Sequence, residues 1–334
     1  MKYKLLNILF CPGCLSKLNL ISEEAMEDEI IKGTLRCPSC NYDFLIREGV
    51  VILGLRNNLE IKEKLAEMEG EYKWVYENHN QEEHLEYLRN YAPIMNKGIR
   101  DIMKQRKGAL LLDLGAGCCE TSWMFTKYGA EVVSIDIMPE FIRCGGAFID
   151  QNHYFERLVG DVEILPFAND SFDIVFCKEI LHHVSDFKAV ISEINRILKP
   201  KGICVIWEPV KGILRQKDTE QEKSGLIHHE YSFFYYRQGF KKCFNLKQWK
   251  PLLEQVKIKN LIYLPKYLIS LYTILIGGGV SFELLTKDKR KKVTRGNTEI
   301  VPINLERFHV NDSLVKKEKQ TKMPKELDIL QSLT

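Results

Sequence analysis

The sequence predicts an α/β protein, with a doubly wound, mostly parallel sheet in the middle of the chain and a small cysteine-rich module before it. Strand-like apolar runs alternate with helix-like segments from Ala109 to Trp207, and this alternation is typical of βαβ units. Glycines and acidic residues recur at the ends of successive predicted strands. Four cysteines near the N-terminus lie in two matching Cys-Pro-x-Cys turns. We therefore expect a small module followed by a larger domain.

The composition is that of a folded protein. The 334 residues are 45% hydrophobic and 28% charged, which excludes low-complexity disorder for most of the length. The net charge of +3 is small, so global charge does not indicate nucleic-acid binding. The apolar run from Tyr267 to Val280 is too short to span a bilayer, and no export signal is visible between Met1 and Phe10. We expect a cytoplasmic protein whose cysteines are thiols or metal ligands.

The two Cys-Pro-x-Cys turns predict a metal site. They are formed by Cys11, Cys14, Cys37 and Cys40. Each turn directs two sulfurs at one point, and four thiolates in a tetrahedron suit Zn²⁺. Because such a site has no open coordination position, we expect structural zinc. Free cysteines or a redox Cys-x-x-Cys pair are the alternatives. The other six cysteines match no ligand spacing and are Cys118, Cys119, Cys144, Cys177, Cys204 and Cys243.

The remaining elements follow from the periodicity of apolar residues. The polar segment Arg56–Lys107 has apolar residues at helical spacing and is predicted to form helices that link the module to the main domain. The main domain is predicted to have strands at 109–114, 131–136, 172–177 and 203–207, another before Gly160, and helices at 120–128, 141–151 and 186–198. Beyond it we predict a helix at 246–255, a strand at 256–264 and a last strand at 280–286.

A glycine turn follows the first predicted strand, in the run Asp113-Leu-Gly-Ala-Gly117. Its glycines allow the backbone to approach a ligand closely. The third glycine of a dinucleotide-binding motif is missing, and the residue in that position, Glu120, would repel a pyrophosphate at the helix start. The turn therefore argues against NAD or FAD and favours a ligand without phosphate.

Acidic residues end the next two predicted strands. Asp136 can accept hydrogen bonds from both hydroxyls of a ribose, and Asp161 is placed to accept one from an exocyclic amine. The amide of Val162 can bind a ring nitrogen. Each carboxylate alone could equally be a solvated loop residue or a helix cap. With Asp113, they form a series at successive strand ends that predicts a nucleoside-type ligand.

The motifs together resemble those of class I S-adenosylmethionine (SAM) methyltransferases, most of all the group that contains the ubiquinone and menaquinone C-methyltransferases. They lie between about Lys107 and Pro209, in the runs 111–117, 133–136, 160–167, 171–175, 181–184 and 193–202. The resemblance implies a seven-stranded Rossmann-like methyltransferase sheet whose last strand is antiparallel. It also implies SAM as the cofactor and a SAM-dependent methyltransferase activity.

The resemblance also implies roles for individual residues. Gly115 and Gly117 would face the methionine moiety, Asp136 the ribose and Asp161 the adenine. The full set of predicted cofactor-binding residues is Asp113, Gly115, Ala116, Gly117, Asp136, Ile137, Asp161, Val162 and Lys178. The pair Cys118-Cys119 departs from the family pattern, in which a third small residue, often glycine, is common. Cysteine is small enough that we still expect binding.

The cysteine module resembles the zinc-ribbon activator subunit of several RNA and protein methyltransferases. It is also similar to the N-terminal zinc ribbon of a ribosomal RNA guanine methyltransferase. Both resemblances keep RNA open as the methyl acceptor. Zinc ribbons also serve only to stabilise or dock a protein, so the module alone does not identify a substrate.

Four histidines are the candidates for a general base, which methyl transfer needs only if the acceptor must lose a proton. His182 and His183 follow the fourth strand, and His228 and His229 lie in a loop-like stretch after the fifth. Histidine exchanges protons near neutral pH, but these side chains could also serve packing alone. The run Cys177–Ile180 lacks the Asn/Asp-Pro-Pro-aromatic signature, which disfavours methylation of adenine or glutamine amino groups.

We predict four parts of the chain: a four-cysteine zinc ribbon (1–54), a helical linker or lid (55–107), the methyltransferase domain (108–286) and a basic polar tail (287–334). The apolar segment Pro265–Gly279 is interpreted as a helix on the core or acceptor pocket, with peripheral membrane contact as the alternative. The tail is interpreted as solvated, with RNA binding as the alternative.

Three functions are consistent with these features. The first is methyl transfer to a small-molecule acceptor, supported by the aromatic and histidine-rich stretch Ile227–Phe240. The second is methylation of an RNA held by the ribbon and the tail. The third is a non-catalytic scaffold or regulator that keeps the cofactor fold. No motif separates carbon, oxygen and nitrogen acceptors.

Overall fold

The computed structural model describes residues 1–56, 97–149, 152–211, 231, 233–241, 243–252, 277–287 and 298–301. The strands of the N-terminal region are β1 (Asn19–Met26), β2 (Glu29–Arg36), β3 (Asp43–Arg47), β4 (Val50–Ile52) and β5 (Leu55–Arg56). The later strands are β6 (Leu110–Leu114), β7 (Glu131–Asp136), β8 (Phe155–Val159), β9 (Phe172–Lys178), β10 (Leu198–Lys211), β11 (Phe244–Leu252), β12 (Gly277–Thr286) and β13 (Ile300–Val301). The α-helices that lie wholly within the described residues are α1 (Glu120–Lys127), α2 (Pro139–Cys144), α3 (Phe187–Ile197) and α4 (Phe233–Phe240).

Eleven strands form one sheet in the order β1-β2-β3-β4-β8-β7-β6-β9-β10-β12-β11. The strands from β4 to β10 in this order pair in parallel, whereas β12 is antiparallel to both β10 and β11. The doubly wound fold and its antiparallel strand are therefore confirmed. The expected total of seven strands is wrong, because four strands of the cysteine module continue the sheet beyond β8.

The junction between module and main sheet is a parallel pairing of β4 with β8. Val50, Val51 and Ile52 lie opposite Arg157, Leu158 and Val159, and the next amide, that of Leu53, donates to the carbonyl of Val159 at 2.9 Å. All three residues of β4 are buried. A second contact joins the first cysteine turn to the loop after β8, because the amide of Phe10 donates to the carbonyl of Pro166 at 2.8 Å.

Most of the strands and helices predicted between residues 109 and 211 are confirmed, but the strand predicted at 203–207 is longer and extends from Leu198 to Lys211. Helix α3 begins where the side chain of Asp186 accepts hydrogen bonds from the amides of Lys188 and Ala189. The predicted helix at 141–151 is shorter than expected. Helix α2 ends before Gly145, and a 3-10 turn, Gly145–Phe148, follows it. Two adjacent glycines there weaken the helix.

The C-terminal prediction is partly wrong. Residues 246–252, predicted to be helical, belong to β11, where Trp249 pairs with Phe282 of β12. A bulge between Leu246 and Gln248 breaks the alternation of buried and exposed side chains that would have indicated a strand. The segment Pro265–Gly279 was expected to be helical, but its last three residues, from Gly277, belong to β12. Residues 253–276, which include the rest of this segment and the predicted strand at 256–264, lie outside the described residues.

Of the predicted linker, residues 97–103 are helical and 57–96 lie outside the described residues. Of the predicted tail, residues 298–301 are described, and Ile300 and Val301 pair with β5. The division of the chain after residues 54, 107 and 286 stays a prediction. Among the described helices, none has the length and apolarity needed to cross a membrane.

A buried ion pair anchors α3 to the loop after β8. Arg196 binds Glu193 through two nitrogens, at 3.0 and 2.7 Å, and donates to the carbonyls of Leu165 and Phe167. The side chains of Arg196 and Glu193 are 1% and 8% exposed. Removing either partner of such a pair leaves an unpaired buried charge.

We predict that Arg196→Met lowers the free energy of unfolding by about 3–5 kcal/mol. Denaturant unfolding followed by fluorescence measures it. The control is Lys199→Met, because Lys199 pairs with Asp173 at 2.9 Å and both side chains are about two-fifths exposed. This exposed pair is expected to contribute about 0–1 kcal/mol. Equal losses in the two variants would contradict the prediction.

Candidate functional site

The candidate cofactor site lies at the carboxyl ends of β6, β7 and β8, which are neighbours in the sheet. The glycine turn follows β6, Asp136 ends β7, and Asp161 comes two residues after β8. Parallel strands end at the same edge of a sheet, and ligands of doubly wound folds bind outside that edge. The structure therefore brings the three predicted motifs together.

The glycine turn makes a close backbone approach and borders open space. Gly115 has φ +71°, and a Cβ there would lie 2.6 Å from Cγ1 of Ile180. Gly117 has φ +52°, and a Cβ there would meet no heavy atom within 4 Å. The amides of Gly115 and Ala116 both donate to the carbonyl of Ile135, at 2.9 and 3.0 Å. The turn is thus held against β7, with room for a ligand in front of Gly117.

Asp113 supports the turn from inside the fold. Its Oδ2 accepts hydrogen bonds from the hydroxyls of Thr121 and Ser122, both at 2.6 Å, and the residue is 1% exposed. Burial raises the pKa of Asp113 to about 6, although the two hydroxyls act in the opposite direction. The bonds connect β6 to the first turn of α1 and so fix the course of the chain between them.

Asp136 is held by the backbone on both sides of the site. Its Oδ2 accepts from the amide of Gly117 at 3.0 Å, and its Oδ1 accepts from the amide of Met138 at 2.9 Å. Each carboxylate oxygen keeps a further lone pair, so both can still accept a ribose hydroxyl. Burial raises the pKa of Asp136. The next residue, Ile137, is half-buried at the start of the following loop.

Asp161 is buried and already paired. Its Oδ1 accepts from the amide of Glu163 at 2.9 Å, and its Oδ2 accepts from Nε of Arg56 at 2.7 Å. As at Asp136, each oxygen has a second lone pair for a ligand donor. Val162 is buried beside it in the apolar core.

His182 forms a close pair with Glu208, a residue at the end of the neighbouring strand β10. Its Nδ1 lies 2.6 Å from Oε2 of Glu208, which is fully buried. The other oxygen of Glu208 accepts from the amides of Ile180 and Leu181, both at 2.7 Å. With the carboxylate as acceptor, Nδ1 carries the proton and Nε2 carries the lone pair. Glu208 therefore sets both the tautomer of His182 and the position of its loop.

The other candidate residues are less closely joined to the site. The ring of His183 lies 4.0 Å from that of His182, centroid to centroid. Lys178 ends β9, and its Nζ lies 3.8 Å from Oε2 of Glu179. His228 and His229 lie outside the described residues. The roles of all these residues stay predictions.

Sequence reasoning missed Glu208 and Arg56. Glu208 had a signal, because it is a lone carboxylate in the otherwise apolar run from Ile203 to Val210. A buried charge in such a run requires partners. Arg56 had none: it lies where the cysteine module passes into a polar segment, and nothing local distinguishes it from other surface arginines.

The predicted metal ligands converge. The sulfurs of Cys11, Cys14, Cys37 and Cys40 all lie within 4.8 Å of one another. The Cys11–Cys40 and Cys14–Cys37 sulfur distances are both 3.5 Å. A tetrahedral site with Zn–S bonds of about 2.3 Å needs sulfur separations of about 3.8 Å. The cluster can therefore hold zinc.

The two cysteine turns have the same backbone hydrogen bonds. In each turn, the carbonyl of the first cysteine accepts a hydrogen bond from the amide four residues later. The amide of the same cysteine donates to the carbonyl five residues later, and all four N–O distances are 2.8–3.0 Å. The residue after each second cysteine, Leu15 or Asn41, has positive φ, 57° and 62° respectively. This repeated geometry brings two turns from distant parts of the module to one point.

None of the ten cysteines forms a disulfide in the structure. Cys119 precedes α1 with φ +69°, a left-handed conformation that is common for glycine and costly for other residues. A Cβ on Gly145 would lie only 2.6 Å from the sulfur of Cys119, so this sulfur uses space that is open because Gly145 has no side chain. The departure from the family pattern is thus accommodated by a glycine at the start of the 3-10 turn.

We predict that the purified protein contains about one zinc per chain and that Cys37→Ser loses it, because three thiolates hold the ion less tightly than four. The midpoint of thermal unfolding should fall by about 10 °C or more. Elemental analysis and scanning calorimetry measure both. Cys243→Ser, outside the cluster, is the control and should keep the metal. Zinc retained by Cys37→Ser would contradict the assignment of the ligands.

Comparison with known families identifies two parts of the chain. Residues 112–206 match the family described as methyltransferase domain, which covers the glycine turn, Asp136 and Asp161. Residues 2–49 match the family of Trm112p-like proteins, which covers the four cysteines.

Curated relatives match the methyltransferase part. The uncharacterized methyltransferase YcgJ of Bacillus subtilis is 35% identical over 96 residues, which are 28% of this chain and 37% of that protein. The demethylmenaquinone methyltransferase of Streptomyces avermitilis is 33% identical over 116 residues, 34% of this chain and 48% of that protein. The demethylmenaquinone methyltransferase of Bacillus velezensis is 29% identical over 153 residues, which are 43% of this chain and 64% of that protein. The chain thus spans about a third to two thirds of these relatives.

A solved structure supports the fold. It is a complex between the Trm112 methyltransferase activator of Haloferax volcanii and a candidate methyltransferase, with a TM-score of 0.50 and 19% identity over 62% of this chain and 94% of that chain. Residues 112–206 therefore match a methyltransferase domain and have a Rossmann-like fold, and residues 2–49 match Trm112p-like proteins, with four cysteines that can hold zinc.

Proposed function

We propose that this protein transfers a methyl group from SAM to a small-molecule acceptor. The observation that carries the proposal is the convergence of the glycine turn, Asp136 and Asp161 at the ends of three adjacent parallel strands, around open space in front of Gly117. This arrangement offers space for a methionine moiety and acceptors for a ribose and for an amine.

SAM, when bound, supplies an activated methyl group on a sulfonium. The residues that would hold it are Gly115 and Gly117 beside the methionine moiety, Asp136 at the ribose and Asp161 at the adenine. Because the methyl group is already activated, the protein mainly has to align the acceptor and exclude water. The loop after β9 packs on the glycine turn through Ile180, so it brings His182 to the same edge of the sheet.

His182 is the best placed candidate for a general base. Glu208 holds its Nδ1 at 2.6 Å, which leaves Nε2 as the nitrogen that can accept a proton. Tyr236 of helix α4 lies against the same carboxylate, with its hydroxyl 3.4 Å from Oε2. Helix α4 thus packs close to the proposed base.

The small-molecule acceptor is supported by two observations. Aromatic side chains of α3, of α4 and of the residue Tyr231 before α4 pack together, with Tyr231 and Tyr235 stacked at 4.4 Å and Phe187 beside Tyr236, which contacts Glu208. Such surfaces favour apolar or aromatic ligands. The demethylmenaquinone methyltransferases among the relatives also bear a small-molecule name. We also propose the cytoplasm as the location, because ten cysteines without a disulfide, four of them grouped as metal ligands, are typical of a reducing compartment.

A second candidate is methylation of RNA or of a protein. The Trm112p-like module favours it, because the matched solved structure contains an activator of that type with its candidate methyltransferase. Incubation with radiolabelled SAM distinguishes the acceptors. Label in a small-molecule extract and none in total RNA supports the first proposal. Stoichiometric label in RNA or protein would replace it.

We predict that SAM binds the wild-type protein and that Asp136→Ala weakens binding about 10- to 100-fold, because hydrogen bonds from the ribose to a carboxylate are lost. Isothermal titration calorimetry measures the affinity. Asp43→Ala, which removes an exposed carboxylate of the module, is the control and should bind as the wild type does. Absence of binding by folded, zinc-loaded wild-type protein would favour the scaffold function instead.

We predict that His182→Gln lowers the rate of methyl transfer about 10²- to 10⁴-fold while SAM affinity stays unchanged, because a general base contributes rate and not binding. Glu208→Gln should lower the rate less, since it removes the charge that fixes the tautomer. His153→Gln is the control, because the ring of His153 contacts that of Trp123 at 6.2 Å, centroid to centroid, and not Glu208. Single-turnover kinetics at saturating SAM measure the rates. Wild-type rates in His182→Gln would exclude His182 as the base.

A further inference from the structure

Arg56 connects the cysteine module to the cofactor edge of the main sheet. It is the last residue of β5 and is 19% exposed at its side chain. Its Nε donates to Oδ2 of Asp161 at 2.7 Å, and its Nη2 lies 2.9 Å from Oε1 of Glu163 as an ion pair. Both carboxylate side chains are 4% exposed. One guanidinium therefore serves two buried carboxylates that lie side by side.

The position of Arg56 is fixed by the module. β5 pairs with β13, and Arg56 lies opposite Ile300. The side chain of Ile300 packs against Gly13 in the first cysteine turn, and its carbonyl accepts a hydrogen bond from the hydroxyl of Tyr42. The backbone that carries Arg56 is thus held by contacts with the cysteine module.

The second carboxylate extends the connection to the loop before α3. Oε1 of Glu163 accepts from the amide of Ser185 at 2.9 Å, and Oε2 accepts from the amide of Asp186 at 3.2 Å. This loop carries His182. Arg56 therefore contacts both the residue expected at the adenine and the residue that fixes the loop of the proposed base.

The geometry of the guanidinium determines what Asp161 can bind. Nε of Arg56 and the amide of Glu163 each occupy one lone pair of the carboxylate, one on each oxygen. Both partners donate, which fixes the plane of the carboxylate. A carboxylate accepts hydrogen bonds and does not donate them. Such a site prefers a ligand that presents an amine to one that presents a carbonyl.

We propose that Arg56 is a positioning residue for nucleobase recognition: it holds Asp161 as the acceptor for the exocyclic amine of adenine, so that cofactor selectivity depends on a residue of the short strand that directly follows the N-terminal module. The proposal rests on the proposed SAM site. The Arg56–Asp161 and Arg56–Glu163 contacts carry it, because they join the module to the adenine end of the site and to the loop of the proposed base.

The test compares two ligands that differ at the amine. S-adenosylhomocysteine presents an amine at the purine 6 position, and S-inosylhomocysteine presents a carbonyl there. Calorimetric titrations with both ligands use the wild type, Arg56→Met, Arg56→Lys and the control Arg36→Met. Arg36 pairs with Asp43 in the same module, at 2.6 Å and largely in solvent.

The wild type and the control should prefer the adenosyl ligand by at least about tenfold. Arg56→Met should lose about tenfold in affinity for the adenosyl ligand and little for the inosyl ligand, so the preference should approach one. Arg56→Lys keeps the charge without the planar fork and should recover part of the preference. Arg56→Met removes the ion-pair partner of two buried carboxylates and could therefore unfold the protein. The second variant, Arg56→Met/Glu163→Gln, removes one of these charges and should show the same loss of preference in a folded protein.

Three results would overturn the proposal. The first is an unchanged preference in Arg56→Met or in the double variant. The second is an equal loss for both ligands, which would indicate a structural role only. The third is a loss of preference in the control Arg36→Met as large as that in Arg56→Met. If the wild type binds neither ligand, the proposed SAM site itself fails, and this outcome is distinguishable because it does not depend on any Arg56 variant.

Discussion

The parallel pairing of β4 with β8 is the contact on which the rest of the structure depends. Without it, β8 would be the edge strand of the main sheet and would present unpaired amides and carbonyls. With it, the four strands of the cysteine module continue the sheet, and β8 is paired on both sides. The hydrogen-bonded sheet is therefore continuous from the strands of the cysteine module to β8 and the residues that follow it.

Those residues belong to the candidate cofactor site. Asp161 follows β8 by two positions and is bound by Arg56, which lies in the short strand just after the module. The glycine turn and Asp136 come from the neighbouring strands, and the loop after β9 closes on the turn through Ile180. Because parallel strands end at the same edge of a sheet, the functional residues lie along that edge. A small displacement of β8 would therefore move Asp161, at the adenine end of the site, more directly than the glycine turn after β6, at the methionine end.

Much of the site could be predicted because its signals are local. The cysteine turns, the glycine turn and the carboxylates at strand ends are each contained within a few residues, and chain topology brings them together. The pairing of Arg56 with Asp161 joins residues 105 positions apart, and that of His182 with Glu208 joins residues 26 apart. The first pairing leaves no local pattern, and the only trace of the second is the lone carboxylate of Glu208 in an apolar run. The strand β11 was missed for a different reason, since a bulge hides its alternation.

Hydrogen–deuterium exchange with and without a zinc chelator tests most directly whether the module and the cofactor edge form one sheet. We expect metal removal to expose the amides of β2 and β3 and also to lower protection in β8 and in the segment 160–163, while β10 and β12 keep theirs. Loss of protection confined to residues 1–56, with β8 unchanged, would contradict this expectation and would mean that the two parts are stable independently.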